Sequence, residues 1–302
     1  MTNPTFSILI TTKNRLSDLA FTLAKIQYLL DKKDVVCLIC DDGSTDGTAS
    51  FLQANYPEIQ LIQNSKSKGL IYSRNRLLSM VTTEFAVSID DDLHFVTVNP
   101  LEIISCFFSQ NPEVAVLGFR IFWSKTEPVI TATKEQSMPM QSYAGGAHAF
   151  RMEAWRDIPD YPAWFIFYGE ENFASYQLFK KRWKIYYLPE VLVNHRVDLK
   201  LRKNNDDYVL RSRRALRAGW YLFFLFYPLK KIPRKMAYSL WMQFKLKVFK
   251  GDFKAFQAIL LALLDLVWNI SLILKNSNRL SPKDYNAYIE LPETKIYWQP
   301  EK

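Results

Sequence analysis

The chain has 302 residues, 39 Lys and Arg against 30 Asp and Glu, and only 3 Cys. With 49% hydrophobic residues it can bury a sizeable core, which excludes a disordered scaffold. Three cysteines are too few for a disulfide framework. Cys37 and Cys40 lie in the apolar run VVCLIC, so their C-x-x-C spacing reads as a buried strand rather than a redox pair or half a zinc site. The first residues, MTNPTFSILITTKNR, contain neither a basic segment nor a long apolar stretch. No secretory signal is expected there, and the chain is expected in the cytoplasm.

In chain order, the pattern predicts a strand over residues 6–10, then a loop with Asn14 and Arg15. Leu16, Leu19, Leu23, Ile26 and Leu30 recur at helical spacing, with Ser17 as the expected N-cap. Residues 35–40 form a continuous apolar run, the mark of a strand buried on both faces. DDGSTDGT, residues 41–48, is rich in turn formers and leads into a short helix toward Asn55. A third strand is expected over residues 59–63, a helix over 70–80 and a fourth strand over 85–89. This alternation implies an α/β fold, a mostly parallel sheet with helices on both faces. Ligands on such sheets bind at the carboxyl ends of the strands.

Acids cluster at those ends. Asp41 and Asp42 follow the second strand, and Asp90, Asp91 and Asp92 follow the fourth. Three adjacent carboxylates at a half-buried strand end repel one another unless a cation neutralises them. Mg²⁺ is typically held by one or two carboxylates plus substrate phosphates, so a metal–diphosphate site is expected. No G-x-G-x-x-G follows the first strand and no G-x-x-x-x-G-K-[ST] is present, which argues against a dinucleotide dehydrogenase and a P-loop NTPase.

The positive charge is concentrated elsewhere. Residues 196–254 carry 16 Lys and Arg against 4 Asp and Glu, and the remainder carries 23 against 26. Arg211, Arg213, Arg214 and Arg217 precede the aromatic run GWYLFFLFYPL, and Lys230, Lys231, Arg234 and Lys235 follow it. That run is too short to span a bilayer. Residues 255–274 are long enough, but Gln257, Asp265 and Asn269 fall on one helical face within them. An amphipathic helix lying in a membrane interface, or packed on the rest of the protein, fits better. An anionic membrane surface is the favoured partner and nucleic acid is not; a helical subdomain with a solvated basic face stays open.

FSILITTKNR, LICDDGSTDGT, KGLIYSRN and SIDDD, followed by GGAHAFRMEAW, FYGEEN and YYLPEVLVNH, resemble the family 2 inverting glycosyltransferases with a GT-A fold. The resemblance covers about residues 5–196 in order. It implies a glycosyltransferase domain over residues 1–196, with a nucleotide-binding half (1–98) and an acceptor and catalytic half (99–196), followed by a helical membrane-associating region (197–302). It places Thr11, Asn14, Arg15, Asp41, Asp42, Arg74, Asp90 and Asp91 in the nucleotide-sugar pocket, with Asp42 accepting hydrogen bonds from a uracil-like base. Asp46 is open between a pocket role and a plain turn or cap. Asp92 is implied as first metal ligand, with Asp90 and His195 as further ligands to Mg²⁺ or Mn²⁺. Glu170 and Glu171 stand where the family has the E-D pair that supplies the catalytic base, and Glu171 is the favoured base. Gly145 and Gly146 are expected to let backbone approach the sugar or acceptor. An Arg and a Gly that the family often has downstream are replaced by Gln177 and roughly Trp183, so no role passes to these. His94 and His148 receive no assignment.

The implied activity is transfer of a sugar, with inversion, from a nucleotide-diphosphate donor to a hydroxyl of a glycan or lipid-linked acceptor. The UDP-sugars are favoured as donors, and the product would be a polysaccharide or glycolipid made at the inner face of the cell membrane. Two alternatives stay open. A sugar-phosphate nucleotidyltransferase would want a Gly-rich basic loop for triphosphate, which TTKNR is not. A non-enzymatic membrane-binding module would leave the acid clusters idle.

Overall fold

The computed structural model describes residues 5–197 and 207–300. Its first half alternates β1 (Phe6–Thr12), α1 (Leu16–Leu30), β2 (Val35–Asp41), α2 (Thr48–Asn55), β3 (Gln60–Gln63), α3 (Leu70–Leu78) and β4 (Phe85–Asp90). The second half adds β5 (Leu93–Phe95), α4 (Pro100–Gln110), β6 (Val114–Trp123), β7 (Met138–Pro139), β8 (Ala147–Arg151), α5 (Met152–Arg156), α6 (Glu170–Lys180) and β9 (Lys184–His195). Helices α7 (Tyr208–Phe226), α8 (Ile232–Leu246), α9 (Phe253–Trp268), α10 (Ile270–Lys275) and α11 (Pro282–Glu290) complete it.

One sheet runs β3-β2-β1-β4-β8-β6-β9-β5, with β7 paired to β9. The first four strands are parallel, as expected; the antiparallel pairs β4–β8, β6–β8, β5–β9 and β7–β9 each involve a strand of the second half. Parallel register puts Thr11 of β1 beside Asp90 of β4, so the loops after these strands open on one edge. One face of the sheet is covered by Leu19, Leu23 and Ile26 of α1 with Leu101, Ile104 and Phe108 of α4. The other carries Ile71 and Leu77 of α3, Phe173 and Tyr176 of α6, and Tyr221, Leu225 and Phe226 of α7. The aromatic run of α7 is therefore core, continuous with the packing of α6.

Helix α1 starts at Leu16, and Ser17 lies inside it rather than capping it. The Asp46 carboxylate takes the amide of Leu16 at 3.0 Å and also the Thr48 amide and hydroxyl. A cap supplied across 30 residues satisfies the orphan amide as well as a local serine would.

The region over residues 255–274 is not one helix, because it breaks at Asn269 between α9 and α10. Its three polar residues do not share a fate either. Asp265 is buried against α7, where Arg213 Nε lies 2.7 Å from Oδ2 and Arg217 Nη1 at 3.4 Å, while Gln257 is exposed. Arginine pairing fixes Asp265 inward, which turns Leu264, Val267 and Trp268 outward.

Candidate active site

The acids after β4 meet basic groups from three directions. Arg15, in the loop after β1, reaches Asp91 Oδ1 at 3.1 Å and Asp92 Oδ2 at 2.7 Å. Thr12 Oγ1 donates to Asp91 at 2.8 Å, and burial pushes the Asp91 carboxyl up to about 7 against the pull of Arg15. Burial also works against charge on Asp92, but His195 and Arg15 outweigh it and hold that carboxyl well below the usual range. His195, the last residue of β9, brings Nε2 to 3.0 Å from Asp92 Oδ1.

One ligand atom each from Asp90, Asp92 and His195 lie within 4.8 Å of one another, and the three could hold a metal ion. Asp92 Oδ1 is buried without an aligned hydrogen-bond partner despite the nearby imidazole. A Cβ on Gly146 would stand 3.1 Å from Asp90 Oδ2 and 3.8 Å from His195 Cε1, so this glycine keeps the concavity open. Two carboxylate oxygens and an imidazole nitrogen suit Mg²⁺ or Mn²⁺. The residues present fit such an ion.

Arg74 does not point toward an open nucleotide pocket. Its guanidinium is buried, with Nη1 at 2.9 Å from Glu170 Oε1 and 3.5 Å from Glu171 Oε1. Nη2 lies 3.1 Å from Asp90 Oδ1 and donates to the Gly145 carbonyl at 2.9 Å. One cation thus ties the acids of β4 to those opening α6. Burial pushes Glu170 up to about 8, with Glu171 adding and Arg74 opposing, and burial likewise raises Glu171. Glu170 Oε2 is buried without a partner, whereas Glu171 keeps partial exposure to the cleft. Gly145 matters for a reason the sequence did not carry. A Cβ there would fall 1.8 Å from Glu171 Oε1, so the glycine makes room for this carboxylate itself.

The backbone before α6 is strained. Ile166, Tyr168 and Gly169 all adopt positive φ, the first two without a glycine's freedom. Arg217 donates to the Phe165 carbonyl and holds this turn from α7.

Two cavities share the site. The first, about 560 Å³, is lined by Thr11, Arg15, Asp42, Asp90, Asp91 and Asp92 among others. The second, about 670 Å³, is lined by Arg74, Gly145, Glu170 and Glu171, and both include Asp90, His195 and Arg214. Asp42 already accepts from Asn64, Ser67, Ser73 and the amides of Lys68 and Gly69, holding the loop before α3. Asp41 accepts from the Ser44 amide, and Asn14 ties the loop after β1 to Ser44 and Thr45; neither lines the cavity. Gln177 accepts from Asn278, His94 faces Glu127 and Arg196, and burial with Arg74 nearby drives His148 down to about 3. These last three are structural. Arg214 and the turn at Ile166 and Phe167 are cleft residues that motif reading missed, because charge counting grouped Arg214 with its basic neighbours.

Residues 7–162, over half of the chain, match the family described as glycosyl transferase family 2. This chain is a family 2 glycosyltransferase. The transferase is 28% identical over 243 residues to the putative glycosyltransferase EpsE of Bacillus subtilis (strain 168), covering 65% of this chain and 84% of that one. Among solved structures it resembles the mannosyltransferase PcManGT from Pyrobaculum calidifontis in complex with GDP-Man and Mn²⁺. That likeness has a TM-score of 0.56 and 15% identity, over 96% of this chain and 84% of that one. It also resembles GalNAc-T7 with UDP, GalNAc and Mn²⁺, with a TM-score of 0.55 and 16% identity over 74% of this chain. The transferase spans half of the GalNAc-T7 chain. Likeness at these identities shows the fold, which is GT-A.

Proposed function

We propose that this glycosyltransferase moves a sugar with inversion from a nucleotide-diphosphate donor, UDP-linked by preference, to a hydroxyl of a glycan or lipid-linked acceptor. The observation that carries the reading is the shared wall of the two cavities. Asp90 and His195 border both the cavity with Thr11 and Asp42 and the one with Glu171. The donor's base and ribose then belong on the Thr11, Asp42 side, its diphosphate at the shared wall, and the acceptor beside Glu171. Mg²⁺ or Mn²⁺ held by Asp90, Asp92 and His195 would offset the charge developing on the diphosphate. Glu171 accepts the acceptor's hydroxyl proton as its oxygen bonds to the anomeric carbon and the bond to the phosphate oxygen breaks. Arg74 orients Glu171 and keeps Glu170 in place. The relatives crystallised with UDP or GDP-Man and Mn²⁺ support the donor class. Proton NMR of turnover decides the stereochemistry. A UDP-α-sugar should give a β-linked product, and an α-linked product would refute inversion.

We assign the glycosyltransferase domain to residues 1–196 and attachment to an anionic membrane, on its inner face, to residues 197–302. No helix among the described residues is long and apolar enough to cross a membrane. What supports attachment is an exposed apolar face with basic flanks. Tyr238, Trp241, Phe249, Phe253 (82% exposed) and Trp268 (87%) are exposed, and so are Lys230, Lys231, Arg234, Lys235, Lys250 and Lys254, which lie near them in the sequence. Aromatic rings suit the headgroup boundary, and each Lys or Arg adds about 1 kcal/mol near an anionic leaflet. Replacing Trp241, Phe253 and Trp268 together by serine should weaken sedimentation with anionic vesicles at least about tenfold, since three large apolar groups no longer insert. Unchanged sedimentation would refute the assignment.

A further inference from the structure

The arginines around the cleft are nearly all spoken for. Arg15 is paired with Asp91 and Asp92, Arg74 with Asp90 and Glu170, and Arg213 and Arg217 with Asp265. Arg196 donates to the Asp18 carbonyl and the Thr22 hydroxyl, and Arg211 is held by Asp207 at 3.0 Å. Arg214 is different. Half-buried on α7, it lines both cavities and has no hydrogen-bond or ion-pair partner among the described residues. Burial and the like charges of Arg217 and Arg213 act against its own charge, and Tyr168 and Asp207 nearby offset them only in part. A half-buried guanidinium in such a setting calls for an anion.

The place of that anion follows from the lining. In the cavity with Thr11 and Asp42, Arg214 shares the wall with Asp90, Asp92 and His195. In the other, it shares the wall with Glu171. Between the donor's nucleoside and the sugar whose anomeric carbon meets the acceptor hydroxyl stands the diphosphate. We propose that Arg214 is a catalytic residue that binds this diphosphate and stabilises the leaving nucleoside diphosphate, an inference that rests on the nucleotide-sugar reading above. When the bond from the anomeric carbon to the β-phosphate oxygen breaks, its electron pair stays on that oxygen. The acceptor oxygen forms the new bond, and its proton passes to Glu171. Arg214 meets the oxygen that gains charge, with planar donors matched to a phosphate. It comes from outside residues 7–162, the part that matches the family, so the C-terminal helices complete the site rather than only anchoring it.

The test is calorimetric titration of the wild type, Arg214→Ala and Arg214→Lys with inorganic pyrophosphate, uridine and UDP in Mn²⁺. Arg214→Ala should lose about tenfold or more in affinity for pyrophosphate and UDP. Uridine binding should be unchanged, and Arg214→Lys should recover part of the loss. Unchanged pyrophosphate and UDP affinity in Arg214→Ala overturns the proposal, and so does an equal loss for uridine. If the wild type binds pyrophosphate through Arg214 yet gains nothing from the uridine of UDP, the uridine reading fails while the anion role stands. A wild type that binds neither pyrophosphate nor UDP overturns both.

Discussion

Glu171→Gln is expected to lower kcat for transfer by about 10²–10⁴-fold while leaving the KM for the donor nearly unchanged. Glutamine keeps the shape that Gly145 accommodates, where a Cβ would lie 1.8 Å from the Glu171 carboxylate, and removes the proton acceptor together with its charge opposite Arg74. Glu170→Gln should be milder. Its carboxylate is bound to Arg74 at 2.9 Å and is more deeply buried in the cavity wall than that of Glu171, with its other oxygen unpartnered. Steady-state kinetics on both variants decide between them. Loss confined to Glu170→Gln would exchange the roles.

The second large effect is on stability. Arg74→Leu removes the cation shared by Asp90, Glu170 and Glu171, leaving buried carboxylates uncompensated at a cost of about 3–5 kcal/mol. The loss should depend on pH. Glu170 is already raised to about 8 in the folded chain, above its usual 4.5, so the folded state binds its proton more tightly than the unfolded state. Such a group favours folding fully below about 4.5 and loses that contribution as pH rises toward 8. Without Arg74 the carboxyl rises further; Glu170 is then protonated in both folded proteins from pH 5 to about 7, so the variant's deficit should be level there and grow as pH rises past about 8 toward about 9, where only the wild type ionises it. Thermal melts across that range measure it. A deficit that does not vary with pH would mean that packing, not charge, is what Arg74 supplies.

The α/β core was legible because its signals are local. Apolar runs at β1, β2 and β4 and the helical spacing of Leu19, Leu23 and Ile26 each reflect burial within one element. The acids at the strand ends were legible for the same reason. What stayed hidden depends on pairings across the chain. Asp46 caps α1 from another loop, a contact with no sequence spacing to announce it. Arg74 was expected to face the nucleotide, yet three carboxylates from β4 and α6 converge on its guanidinium once the sheet closes. The basic run before the aromatic segment read as one membrane-facing patch. Folding divides it, since Arg213 and Arg217 satisfy Asp265, whereas Arg211 and Arg214 turn into the cleft. Helical period assigns faces but does not say which neighbour a face will meet.

The central claim is that Asp90, Asp92 and His195 hold a metal ion that receives the donor's diphosphate. Isothermal titration of UDP into the wild type and Asp92→Asn, each in Mn²⁺ and in EDTA, tests it most directly. Mn²⁺ should tighten UDP binding to the wild type by about tenfold or more and leave binding to Asp92→Asn almost unaffected. Equal affinity in Mn²⁺ and EDTA for the wild type, or full Mn²⁺ dependence in Asp92→Asn, would contradict it.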